Sequence, residues 1–208
     1  ADTPYMKGKR FAAGDYTGGR VCIVEADGKI SWEQKAPSCD DLWILPGGSI
    51  LFNTGHGVKE VAMDGKVLFE YQSVSEIYAV QRLANGNTFV GECSSGRLLE
   101  LAPDGKTVKS LSLLPEGQKG GHSFMRNARV LKNGNYLVTL CGQKTVAEYA
   151  PDGKEAWTFK VPGGVPHSVQ RLANGNTLIA CGDRGEPGLL EVSPGGEIVW
   201  KADNSDLP

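Results

Sequence analysis

From His167 to Trp200 the chain reads HSVQRLANGNTLIACGDRGEPGLLEVSPGGEIVW. Short apolar runs of Val, Ile and Leu alternate with polar positions or are bounded by them. Asn174-Gly175 and Gly195-Gly196 separate them, and such pairs tolerate the positive φ that tight hairpins require. The pattern predicts four strands, over 168–172, 177–181, 188–192 and 198–201. One four-stranded meander cannot bury both of its faces, so a chain using this unit is expected to use it several times.

The rest of the chain repeats it. First-turn glycines fall at Gly47, Gly86, Gly134 and Gly175, and second-turn glycines at Gly28, Gly65, Gly105, Gly153 and Gly196. QRLANGNT occurs from Gln81 and again from Gln170, and PDGK occurs from Pro103 and again from Pro151. A period of about 40 residues with four strands per unit is the mark of a β-propeller. The expected fold is therefore all-β, a single domain of four-stranded antiparallel blades. Its five units span approximately 3–36, 37–75, 76–119, 120–164 and 165–208. In the first unit only residues 3–6 are available for the first strand, so the ring is either small and complete or part of a larger one. Exposed blade edges would then invite assembly with another chain. A large aromatic follows the second-turn glycine by four residues at Trp32, Phe69, Trp157 and Trp200, whereas the third unit has Lys109. These rings are expected to pack between blades.

Composition narrows the function. The chain holds 28 glycines in 208 residues and carries a formal charge of −2. Glycine at about twice its usual share of roughly 7% suits a turn-rich repeat. Without a clustered basic footprint, a nucleic-acid surface is not expected. No apolar stretch is long enough for a membrane-spanning helix. The start at Ala1-Asp2-Thr3-Pro4, without Met, fits a processed, secreted or periplasmic protein. Cys22, Cys39, Cys93, Cys141 and Cys181 are odd in number and form no CxxC, which argues against a zinc site or a complete disulfide framework. They are expected to pack as small apolar residues.

The run from His167 to Gly182, the PDGK turns and the trailing tryptophans resemble bacterial PQQ-like or arylsulfotransferase-like propeller repeats. The resemblance implies the fold over nearly the whole chain. It leaves function open between a binding or protein-interaction scaffold and an enzyme in which a channel histidine accepts a sulfuryl group. No quinone cofactor is expected, since the adjacent cysteine pair of the quinone enzymes is missing and the chain is too short for eight blades.

The inner strand of each blade lines the channel, so residues at its start converge from distant parts of the sequence. Eight residues before the first-turn glycines stand Cys39, Tyr78, Arg126 and His167. Asp40 and Asn127 follow two of them, and a longer lead-in loop brings His122 near. Arginine with histidine suits a small anionic ligand, and histidine suits acid–base or nucleophilic work near neutral pH. The expected site is therefore Arg126, Tyr78, Asp40 and Asn127 for a ligand, with His167 or His122 as the sulfuryl acceptor in the enzyme alternative. A protein partner at the channel mouth is the other expectation. His56, between glycines in a loop, is expected at the surface. No metal is expected: the only basis for a calcium site is a set of carboxylates near the ends of second strands, Asp15, Glu92 and Asp183, and such residues more often bond neighbouring backbone and loops.

Overall fold

The turn chemistry sets the strands. In the computed structural model, which describes residues 8–182 and 188–203, Gly28, Gly65, Gly105, Gly153 and Gly196 all take φ between 82° and 87°. Such values cost an L-residue with a Cβ about 1–2 kcal/mol. The strands between these turns form five antiparallel sheets, the blades of a β-propeller. Blade 1 contains β1 (Phe11–Asp15), β2 (Arg20–Val24) and β3 (Ile30–Lys35); blade 2 contains β4 (Leu42–Ile44), β5 (Ile50–Asn53), β6 (Gly57–Val61) and β7 (Val67–Gln72). Blade 3 runs through β8 (Ile77–Arg82), β9 (Thr88–Glu92), β10 (Arg97–Leu101) and β11 (Thr107–Ser112). Blade 4 runs through β12 (Asn127–Val130), β13 (Tyr136–Leu140), β14 (Thr145–Tyr149) and β15 (Glu155–Lys160). Blade 5 is β16 (Val165–Arg171), β17 (Thr177–Gly182), β18 (Leu189–Val192) and β19 (Ile198–Ala202). Each sheet is a meander in sequence order. Blade 1 has three strands among the described residues, and the expected strand at 3–6 lies outside them.

One turn departs from the sequence expectation. In blade 2 it is Gly48, not Gly47, that takes the positive φ of 85° and donates its N–H to Leu45 O, as Gly86 does to Leu83 and Gly175 to Leu172. Two adjacent glycines hide the choice. The start of the inner strand therefore moves by one residue: the equivalents are Asp40, Tyr78, Arg126 and His167, with Cys39 buried in the core instead.

Alternate side chains of each blade face its two neighbours. The faces meet in four hydrophobic clusters. One is built on Val21, Ile50 and Phe52 between blades 1 and 2, and another on Leu51, Val80 and Leu99 between blades 2 and 3. Phe89, Met125 and Val138 join blades 3 and 4, and Leu137, Ile179 and Leu190 join blades 4 and 5. Burying each such side chain contributes on the order of 1.5–3 kcal/mol. Among the described residues, no such cluster joins blade 5 to blade 1. Phe69 is buried, and Trp32 and Trp157 pack against their junctions as expected, but Trp200 is 47% exposed. All five cysteines are free thiols.

Candidate functional site

The channel mouth is assembled from strand starts and the loops that lead into them. Tyr78 owes its aim to a β-bulge. Ile77 pairs with Glu92 and Ala79 with Gly91, so Tyr78 is skipped by the ladder and its side chain is turned. His167 occupies the same skipped place in β16, between Pro166 and Ser168. Arg126 stands immediately before β12, its N–H on Thr139 O at 3.3 Å. Asp40 is held by Asn53, whose side-chain carbonyl accepts the N–H groups of both Asp40 and Asp41 at 2.8 and 2.9 Å.

His122 comes from the loop before blade 4. Buried Phe124 and Met125 anchor that loop in the core. The Cys93 thiol donates to His122 O at 2.9 Å. Burial pushes the Cys93 thiol up from its ordinary pKa, so it remains a protonated donor.

These residues meet. His122 Nδ1 lies 2.7 Å from Glu76 Oε2, and its Nε2 lies 2.9 Å from Arg126 Nη2. A carboxylate only accepts and a guanidinium only donates, so the ring carries its proton on Nδ1 and offers the Nε2 lone pair to Arg126. Arg126 Cζ sits 4.7 Å from the centre of the Tyr78 ring, a cation–π contact. The Tyr78 hydroxyl lies 3.3 Å from His122 Nδ1. Desolvation raises the Tyr78 phenol, which stays protonated. Asp40 completes the group electrostatically. Its carboxyl is pushed up to about 6, chiefly by desolvation, with Asn53 and Arg126 pulling it down and the carboxylates of Asp41 and Glu76 pushing it up.

Of the residues expected from sequence, the structure thus joins His122, Arg126 and Tyr78 directly and Asp40 through its field. Asn127 is 4% exposed, with its side-chain oxygen unpartnered. His167 packs against Gly182, where an added Cβ would come within 2.5 Å of its Nδ1. His56 is exposed. Glu92 is consumed by Ser73, Ser95 and Arg97, at 2.6, 2.7 and 2.7 Å, and Asp15 by Arg20 and Gly18. Asp183 lies outside the described residues. Glu76 escapes sequence reasoning: it sits in a loop, outside the strand alternation that marks the other positions.

Further along the inner strands a second feature crosses the channel. Arg129 of blade 4 holds Asp41 of blade 2 through two bonds of 2.7 and 2.8 Å, and its guanidinium lies 5.2 Å from the Trp43 ring centre. Beyond it, on the turn side, Trp43, Gln81, Arg129, Ser168 and Gln170 line a cavity of about 910 Å³.

Solved structures resemble the chain over most of its length. A protein of unknown function from Bacteroides caccae matches with TM-score 0.81 at 27% identity, over 94% of this chain and 73% of that one. Virginiamycin B lyase from Staphylococcus aureus matches with TM-score 0.67 at 17% identity, over 92% of this chain and 65% of the lyase. A streptogramin B lyase matches with TM-score 0.71 at 15% identity, over 95% of this chain and 66% of that one. The chain thus spans about two thirds of the length of these lyases. The likeness to them is one of fold. No protein-family model and no curated protein matches the sequence. The chain is a β-propeller, similar in architecture to these proteins.

Proposed function

We propose that the protein is a ligand-binding propeller, and that its channel mouth takes a small polar molecule. The molecule would carry a carboxylate or sulfate at one end and a hydrogen-bond donor at the other. The observation that supports this is the arrangement of Arg126. It spends one amino group on His122 and its face on Tyr78, leaving Nε and Nη1 for an anionic group. Asp40, exposed beside it and ionised only above about pH 6, suits the donor end. Two carboxylates near one guanidinium make a bare anion a poor fit and a zwitterion or hydroxy acid a better one.

The test is calorimetric titration with sulfate, acetate, amino acids and hydroxy acids. A bifunctional ligand should bind more tightly at pH 7.5 than at pH 5. Loss of a charged hydrogen-bond pair in Arg126→Met should weaken it about 10- to 100-fold. Failure of every compound to bind, or binding unchanged in Arg126→Met, would overturn the reading.

A second reading is sulfuryl transfer from an aryl sulfate, and the His122–Glu76 pair favours it. Glu76 on Nδ1 orients the ring; in this reading the sulfonate oxygens take over Arg126 Nη2, which frees the Nε2 lone pair that Arg126 otherwise occupies. In that step Nε2 bonds to sulfur and the aryl oxygen leaves as phenolate. Phenol release by the wild type, lost in His122→Ala, would support it, and the same assay on His167→Ala separates the two histidines. No release by the wild type removes this reading and leaves the binding one standing.

A further inference from the structure

Three kinds of polar contact recur at the junctions between blades 2 and 3, 3 and 4, and 4 and 5. At the junction of blades 4 and 5, Arg171 Nη2 donates to Glu148 Oε2 at 2.6 Å, and its Cζ lies 5.4 Å from the Trp157 ring centre. Asn133 and Asn135 occupy the other carboxylate oxygen of Glu148. Arg82 does the same at the junction of blades 2 and 3, with Glu60 Oε2 at 2.5 Å and the Phe69 ring at 5.3 Å. A second contact lies on the inner strand. The Gln81 side chain accepts from Val130 N at 2.9 Å and donates to Val130 O at 3.3 Å, binding the backbone of the next blade. A third is a thiol near the end of the second strand. Cys93 and Cys141 donate to the next blade's His122 O and Pro166 O at 2.9 and 2.8 Å.

The far face of blade 5 carries the near-side partner of each of the three contacts. Asn174 and Asn176 hold Glu191 Oε1 at 3.3 and 2.6 Å, and Oε2 has no partner among the described residues. Trp200 stands beside Glu191 across the sheet, as Trp157 stands beside Glu148, and is 47% exposed. Gln170, the counterpart of Gln81, is exposed, and Cys181 is half-buried. The apolar positions agree. Leu178 and Leu189 are half-buried, whereas their counterparts Leu137 and Val146 of blade 4 are fully buried.

We propose that the far face of blade 5 is an interface for a further blade of the same repeat. That blade would present an inner strand with arginine four residues before its turn glycine. The arginine would enter between Glu191 Oε2 and Trp200, Gln170 would pair with the strand's backbone, and the Cys181 thiol would meet a carbonyl. The carboxylate and the ring supply charge complementarity for one cation, and the face continues a junction geometry already built elsewhere in the molecule. In the first unit the sequence has Pro4, not arginine, four residues before Gly8.

The test extends the chain. Lys160 and Asp203 are equivalent, each three residues past its tryptophan, so repeating residues 161–203 once after Asp203 keeps the register. In the extended chain Trp200 should become protected from acrylamide quenching, measured alongside a Trp200→Phe control. Glu191→Gln should then lower its melting temperature by about 2–4 °C or more, the size expected for losing roughly 1 kcal/mol in a chain of this length. The same substitution should leave the original chain unchanged. A second extension, with valine in place of the added arginine, should fold, melt lower and no longer respond to Glu191→Gln. Equal effects of Glu191→Gln in both chains, an unprotected Trp200, or failure of both extensions to fold would overturn the proposal. So would a dimer of the original chain, seen by sedimentation, that Glu191→Gln dissolves, because the occupant would then be a second copy.

Discussion

Asp40→Asn isolates the cost of building the channel mouth. The Asp40 carboxyl ionises at about 6 in the folded chain against an ordinary 3.8. Raising a pKa by one costs the ionised form about 1.4 kcal/mol, so the whole rise would represent about 3 kcal/mol. Asp40 is exposed, and solvent screening cuts that figure to about 1 kcal/mol. Below about pH 3.8 the carboxyl is protonated in both the folded and the unfolded chain and contributes no difference. Between there and about pH 6 the folded chain holds the extra proton, so stability falls as pH rises. Above about 6 the penalty is constant. Asparagine keeps the shape and removes the charge. The variant should therefore match the wild type at pH 3.5 and exceed it by about 1 kcal/mol at pH 7.5. Urea unfolding at a series of pH values, fitted with a common m, measures this. A variant less stable at pH 7.5, or a difference that does not change with pH, would refute the argument. A group retained at a cost to stability is what a binding site requires.

Breaking the lock between blades 4 and 5 should be expensive. Arg171→Met leaves Glu148, 8% exposed, facing Trp157 without its cation, and should cost about 2 kcal/mol in urea unfolding, below the roughly 3–5 of a fully buried pair. The blade 2 turn offers a paired test. Gly48→Ala forces a Cβ onto a φ of 85° and should cost about 1–2 kcal/mol, whereas Gly47→Ala, with no positive φ and open space around it, should cost almost nothing.

The propeller is legible in the sequence because its turns are chemical: Asn-Gly and Asp-Gly recur at fixed offsets, and apolar alternation between them assigns each strand. The register slips where two glycines adjoin. The Gly48 N–H to Leu45 O bond decides the phase, and one residue of slip exchanges exposed Asp40 for buried Cys39. The site is half legible. Tyr78 and Arg126 sit at strand starts that the sequence repeat marks, and Asp40 sits one residue past the Cys39 it marks in blade 2. Glu76 and His122 lie in loops with no period, and their meeting depends on the Cys93–His122 contact and the anchoring of Phe124. The exposure of Trp200 is not legible, since the sequence of one blade does not say what stands beside it.

The departure at Lys109 follows from the same junction chemistry. In blades 2 and 4 the outer-strand aromatic lies beside a glutamate, and the following blade supplies an arginine to both. Blade 3 keeps the glutamate, Glu100, but replaces the ring with Lys109, whose amino group reaches Glu100 at 2.9 Å. The following blade has Val130, not arginine, at the matching position. The carboxylate there receives its cation from its own sheet, and a second would meet like charge. The junction of blades 1 and 2 makes the complementary change: Ile23 stands beside Trp32 where the other blades have glutamate, and Ile44 replaces the arginine. The glutamates of blades 2, 3 and 4 therefore each come with one lysine or arginine, and at the junction where the glutamate is absent so is the cation. Blade 5 keeps both glutamate and ring, the combination that elsewhere takes its cation from the next blade. Glu191 and Trp200 thus specify an arginine, not merely an apolar neighbour.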